Sequence, residues 1–142
     1  PYIVMHTHGT PDRIHDTPRY DDILQSVAYY FSERLERLYR LGLTDVILDP
    51  GFGFAKRLED NYALFRRLGE LRALFPHEPL LVGVSRKSMI YKVVGATPEE
   101  ALPGSLVLGV EALRQGAAIL RVHDVKATLQ AVQIWTKLHA NH

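Results

Sequence analysis

The sequence predicts an α/β fold made of four βα units around a parallel sheet. Two observations carry this. Four short runs rich in β-branched residues, Tyr2–Met5, Asp45–Leu48, Leu80–Val84 and Ile119–Val122, are near-continuous rather than alternating, the pattern of parallel strands covered on both faces. Each run is followed by a stretch with helical character, so the order reads β-α-β-α-β-α-β-α. The strand starts fall near residues 2, 45, 79 and 118.

The elements follow in order. From Asp21 to Leu41, apolar residues at Ile23, Val27, Phe31, Leu35 and Leu38 mark one helix face, and Gly42 stands where a helix ends. A second helix is expected over Tyr62–Leu74, with Leu64, Leu68 and Leu71 as its stripe and Pro76 closing it. A third runs from Gly104 to Arg114 and stops at Gly116. A fourth runs from Asp124, a candidate N-cap, to His139, with Val125, Leu129, Val132, Trp135 and Leu138 expected on a buried face. Two connections are long: His6 to Tyr20, shaped by Pro11 and Pro18, and Ser85 to Pro103. Both follow the C-terminal end of a strand, where parallel α/β folds place their ligands.

Composition removes several function classes. The 142 residues carry 17 Lys and Arg against 16 Asp and Glu, so no basic field points to nucleic acid as a partner. Hydrophobic residues at 46% and charged residues at 23% are ordinary for a folded chain and argue against disorder. Cysteine is absent, which excludes thiol catalysis, disulfides and thiolate metal sites and fits a reducing compartment. No apolar run is long enough to span a membrane, and no signal-type pattern opens the sequence. The expectation is a cytoplasmic protein with no nucleic-acid or membrane partner.

Three strand ends carry chemistry. Asp49 leaves the second strand into Pro50-Gly51-Phe52-Gly53-Phe54. A carboxylate with flanking rings suits a flat heterocycle offering paired N–H donors, since it can accept two side by side; the alternative is an Asp-Pro turn plugged by two aromatics. Gly83-Val84-Ser85-Arg86-Lys87-Ser88 ends the most apolar strand. Lys87 there can donate to a ring carbonyl or an anion, or the segment is a solvated basic turn. Strand parity puts Ser85 and Lys87 on one face and Arg86 on the other. Arg121 and His123 share a face, and Asp124 opens a helix whose N–H groups favour anions, which together suit phosphate or diphosphate. The alternative is a local Arg121–Asp124 salt bridge with His123 merely packed. His6 and His8 offer only two nitrogens, too few for zinc, so no metal site is expected. No P-loop, dinucleotide fingerprint or nucleophile elbow is present.

The segments Leu48-Asp49-Pro50-Gly51-Phe52-Gly53-Phe54-Ala55-Lys56, Leu80 to Ile90, Gly104-Ser105-Leu106 and Arg121 to Val125 resemble dihydropteroate synthases, as does the opening Met5-His6-Thr7-His8-Gly9-Thr10-Pro11. The resemblance runs in order along essentially the whole chain. It implies the C-terminal half of a (βα)8 barrel, strands five to eight, with residues 1–142 forming one pterin-binding half barrel truncated from a domain of about 250 residues.

The activity implied is condensation of 6-hydroxymethyl-7,8-dihydropterin diphosphate with p-aminobenzoate, giving dihydropteroate and diphosphate in folate synthesis, with sulfonamides competing for the p-aminobenzoate site. Carried over residue by residue, Asp49, Gly83, Lys87, Met5 and Arg121 would hold the pterin. Phe54 and Ser88 would border p-aminobenzoate. Arg121 and His123 would hold diphosphate, and Lys87, Arg121 and His123 would be catalytic. Magnesium is implied for the full-length enzyme, with its ligands in the N-terminal half and none bound here. Where the family often shows Met and then Gln or Arg, this chain has Thr7-His8. The fragment alone is expected to lack turnover and to self-associate, as a dimer, through its open edges. Two other readings are a folate-dependent methyltransferase barrel and a non-catalytic half barrel binding pterin or phosphate.

Overall fold

The computed structural model describes residues 1–10, 12 and 17–140. Pro11, expected to shape the first long loop, lies outside them. Four parallel strands follow one another in space as in sequence: β1 (Tyr2–Met5), β2 (Val46–Asp49), β3 (Leu81–Val82) and β4 (Ile119–Leu120). β1 pairs with β2 from Tyr2↔Val46 to Met5↔Asp49, and the ladder continues as His6 N–H donates to Asp49 O at 2.9 Å. A single bridge, Leu48↔Leu80, joins this pair to β3 and β4. All four strands therefore end on the same side, which gathers the three clusters at one rim.

Helix α1 (Ile23–Arg40) forms where the stripe predicts it. The Asp22 carboxylate accepts from Gln25 N–H at 3.1 Å and caps its start. Ile23, Val27, Phe31 and Leu35 are buried, Val27 and Phe31 completely. Truncating Phe31 to Ala removes that contact surface and would cost about 3–5 kcal/mol.

The second expected helix is two. Helix α2 (Leu58–Arg66) starts earlier because the Asp60 side chain accepts from Arg57 N–H at 3.0 Å, closing the first turn. It breaks at Arg67, whose N–H donates three residues back to Leu64 O, and α3 (Leu68–Leu74) begins there. The expected loop Ser85–Pro103 also contains an unpredicted helix, α4 (Ser88–Val94), and a 3₁₀ turn (Pro98–Glu100). Seven residues are too few for a periodic stripe, but Met89 and Ile90 bury its inner side. Helix α5 covers Leu102–Arg114 and α6 covers Val125–Leu138.

Two expectations about burial are corrected. Helix α6 has no buried residue; Val125, Leu129 and Leu138 are exposed, and Trp135 instead stacks on His139. Strands β1 and β4 are not covered on both faces, since Tyr2, Ile3 and Ile119 are exposed. They are the two outer strands of the sheet. The apolar pattern is present, but among the described residues these three side chains are left largely open to solvent. The sealed core lies between, where Leu48, Phe52, Leu64, Leu68, Leu71 and Met89 are fully buried.

Candidate functional site at the strand ends

Asp49 ends β2 with only 1% of its surface exposed. Its Oδ1 accepts from Gly51 N–H at 2.9 Å. Its Oδ2 lies 2.9 Å from Arg121 Nη1, but the approach is out of line for a hydrogen bond, and this buried oxygen has no hydrogen-bond partner among the described residues. The contact is ionic, and the oxygen's lone pairs remain available. A buried polar atom without an aligned donor is costly unless something fills that role.

The turn after Asp49 is tied almost wholly by side chains. Gly51, at φ 72°, presses so close to β1 that a Cβ would stand 2.0 Å from His6 O. Gly53 N–H donates to Asn61 Oδ1 at 2.9 Å. Lys56, nearly buried, donates to Gly51 O at 2.9 Å and Phe54 O at 3.1 Å and lies 2.8 Å from His6 Nδ1. Burial draws its ammonium down to about 7, with Asp49 opposing the shift. Burial also holds His6 neutral down to about 3, reinforced by Lys56.

Lys87 reaches this turn from the end of β3. Its Nζ donates to Phe52 O at 2.6 Å and lies 4.8 Å from the centre of the Phe54 ring. Burial lowers it to about 8; Asp49 opposes this and Arg121 adds to it. Gly83 lies beneath Arg121, where a Cβ would meet the guanidinium at 2.7 Å. Asp49, Gly83, Lys87 and Arg121 thus converge. Met5 sits beside them, its Cγ 3.3 Å from where a Gly51 Cβ would stand. One carboxylate is surrounded by Lys56, Lys87 and Arg121, so the rim is net positive and suits an anionic ligand.

His123 is held by Ser85 rather than merely packed. Its Nδ1 is 2.9 Å from Ser85 Oγ, which also accepts from His123 N–H at 3.2 Å. The local Arg121–Asp124 bridge does not form. Asp124 takes a two-pronged pair from Arg86 at 2.8 Å each, and Arg121 turns to Asp49. With its carboxylate so engaged, Asp124 makes no side-chain cap on α6. Arg86, at φ 56°, is held in this left-handed conformation by further bonds to Pro98 O and Glu99 O, both at 2.8 Å. It is a strut, not a solvated turn. Ser88 opens α4 directly after Lys87 and is half-buried, as is Phe54 on the turn that Lys87 reaches.

Sequence reasoning assigned no role to Lys56, Asn61, Ser85 or Arg86. Their partners come from other strands or from the turn's backbone, which composition does not reveal. Among the described residues, no three His, Asp or Glu side chains converge to hold a metal ion. Nor is any described helix long and apolar enough to cross a membrane.

Comparison with known proteins agrees with this geometry. Escherichia coli K12 dihydropteroate synthase is 45% identical over 136 residues, 94% of this chain but 48% of that protein. The structure of Yersinia pestis dihydropteroate synthase with a sulfonamide drug superposes with a TM-score of 0.92 at 39% identity, covering 99% of this chain and 51% of that one. That of the Thermus thermophilus enzyme with 4-aminobenzoate superposes at 0.88 and 39% identity, covering 97% and 56%. The chain spans about half the length of the curated relatives it matches. Its four βα units are half of a (βα)8 barrel. The model of the family described as pterin binding enzyme matches residues 1–123, the stretch that contains every strand and every residue of the rim up to His123. The chain belongs to the pterin binding enzyme family.

Proposed function

We propose that this chain is the pterin- and diphosphate-holding half of a dihydropteroate synthase. The observation that carries the reading is Asp49: a buried carboxylate, one oxygen used by Gly51 and the other without an aligned donor. That oxygen fits the amino-pyrimidine edge of a dihydropterin. The Arg121 guanidinium, a planar donor of similar shape, rests against it. On binding, Arg121 leaves Asp49 for the pterin face and, with His123, the diphosphate. Lys87 exchanges Phe52 O for the pterin carbonyl, and Gly83 and Met5 line the slot.

In the reaction, the C–O bond between the pterin methylene and diphosphate breaks as the p-aminobenzoate nitrogen forms the new C–N bond and loses a proton. Positive charge grows on the methylene and negative charge on the departing diphosphate. Arg121, His123 and Lys87 stabilise the latter, and holding the amine in line supplies the rest. The Thermus relative holds 4-aminobenzoate and the Yersinia relative a sulfonamide; by that likeness, Phe54 and Ser88 border the acceptor pocket, and sulfonamides are its competitors. Magnesium would be bound outside this chain, by the half that carries the other four βα units. The enzyme works in the cytoplasm. The exposed flanks at Tyr2, Ile3 and α6 drive self-association, with a dimer mass expected in light scattering.

The test is a synthase assay with both substrates. The 142 residues alone are expected to give no dihydropteroate, and the chain joined to four preceding βα units is expected to turn over. Inactivity of the joined protein, with pterin diphosphate failing to bind it, would overturn the reading.

A further inference from the structure

One buried cation takes no part in the chemistry above. Lys56 is 8% exposed, and none of its direct partners is a carboxylate: they are His6 Nδ1, Gly51 O and Phe54 O. An ammonium has three donors, and three acceptors meet it here. Retaining a lysine in such a place opposes desolvation, so its contacts must serve the fold or the site.

The contacts have a definite geometry. Gly51 and Phe54 are the two ends of one four-residue turn, also closed by Phe54 N–H donating to Gly51 O at 3.1 Å. Lys56 bridges both carbonyls from the inside. Around it, Asp49 holds Gly51 N–H, Asn61 holds Gly53 N–H, and Tyr20 O–H donates to Ala55 O at 2.8 Å. His6, which braces Lys56, packs edge-on against Tyr30 with ring centres 5.0 Å apart. Lys87 is the anchor that faces the ligand, through Phe52 O. When Lys87 turns to a ligand, the turn loses that bond and depends on the others to keep the Phe54 ring in place.

We propose that Lys56 is a positioning residue for the arylamine acceptor: it clamps the Gly51 and Phe54 carbonyl oxygens and so fixes the Phe54 ring while Lys87 changes partners. This rests on reading Phe54 as a border of the acceptor pocket.

The experiment compares Lys56→Met and Lys56→Gln in the chain joined to its four preceding βα units. Lys56→Met is expected to raise the KM for p-aminobenzoate about tenfold, leaving that for pterin diphosphate within about twofold. Lys56→Gln keeps N–H donors on a shorter side chain that reaches one carbonyl rather than both, so it is expected to raise that KM only about threefold, and it carries the test should Lys56→Met fail to fold. Both KM values moving together, or neither moving, would overturn the proposal. A second readout needs no turnover. In the 142-residue chain, Lys56→Gln is expected to speed Phe54 amide exchange about threefold relative to Leu64, deep in the core. Unchanged Phe54 exchange would contradict the clamp, whereas an inactive joined wild type would count against the synthase reading alone.

Discussion

The turn after β2 and the turn after β3 do similar work by opposite means. The first is tied mostly from nearby in sequence: Asp49 to Gly51, Lys56 to Gly51 and Phe54, Asn61 to Gly53. The second is tied across the sheet, Ser85 to His123 and Arg86 to Asp124, each pair 38 residues apart. The first turn is a closed unit pressed against β1. The second is a clasp between βα units, and it aims the residues that would receive an anion. In the proposed reading, a rigid seat for a flat ring and a jointed arm for a phosphate would place different demands on backbone, and the two turns would meet them separately.

Alanine at two glycines breaks this comparison most sharply. In Gly51→Ala the new methyl meets the His6 carbonyl, backbone that cannot move aside, at a positive φ. Thermal melting is expected to show a loss of about 3 kcal/mol or more. In Gly83→Ala the methyl meets the far end of the Arg121 side chain, which can swing away. Stability is expected to change by less than about 1 kcal/mol, while pterin affinity falls because the methyl occupies the slot.

Acid is expected to act mainly on the first turn. The unfolded chain protonates His6 near 6.5, whereas the folded chain resists to about 3. Between those values the unfolded state binds the extra proton, so stability present above pH 6.5 is lost as pH falls towards 3. The loss should reach a few kcal/mol in denaturant titrations. His6→Phe would remove much of this slope; an unchanged slope would show that another group carries it.

The smallest expected effect is at the clasp. Arg86→Ala frees Asp124 and the segment bearing His123, and is expected to weaken diphosphate binding about tenfold or less, measured by calorimetry, with the first turn's amide exchange unaffected. Slowed or accelerated exchange at Gly53 would show that the two turns are coupled.

The same division explains what is legible in the sequence. The βα order, α1 and the Asp49 turn are local patterns, and local periodicity and turn chemistry report them. Helix α4 leaves no such signal because seven residues hold no stripe. Helix α6 carries its apolar stripe, yet the stripe is covered only in part: Val132 and Trp135 are half-buried, and Val125, Leu129 and Leu138 are exposed. Arg86 pairs with Asp124 across adjoining strands and Arg121 reaches Asp49 over Gly83, at the end of the strand between, so Asp124, the nearer partner in sequence for Arg121, is not the one it takes. Lys56 is visible as a residue but not as a clamp, because two of its acceptors are backbone carbonyls.

The most direct measurement is calorimetric titration of 6-hydroxymethyl-7,8-dihydropterin diphosphate into the joined protein and its Asp49→Asn variant. Asn keeps an oxygen for Gly51 N–H but replaces the free acceptor by a donor, so the turn survives and the pterin edge loses its partner. The account predicts a loss of affinity of about a hundredfold with an unchanged melting temperature. Equal affinities for the two proteins would contradict it.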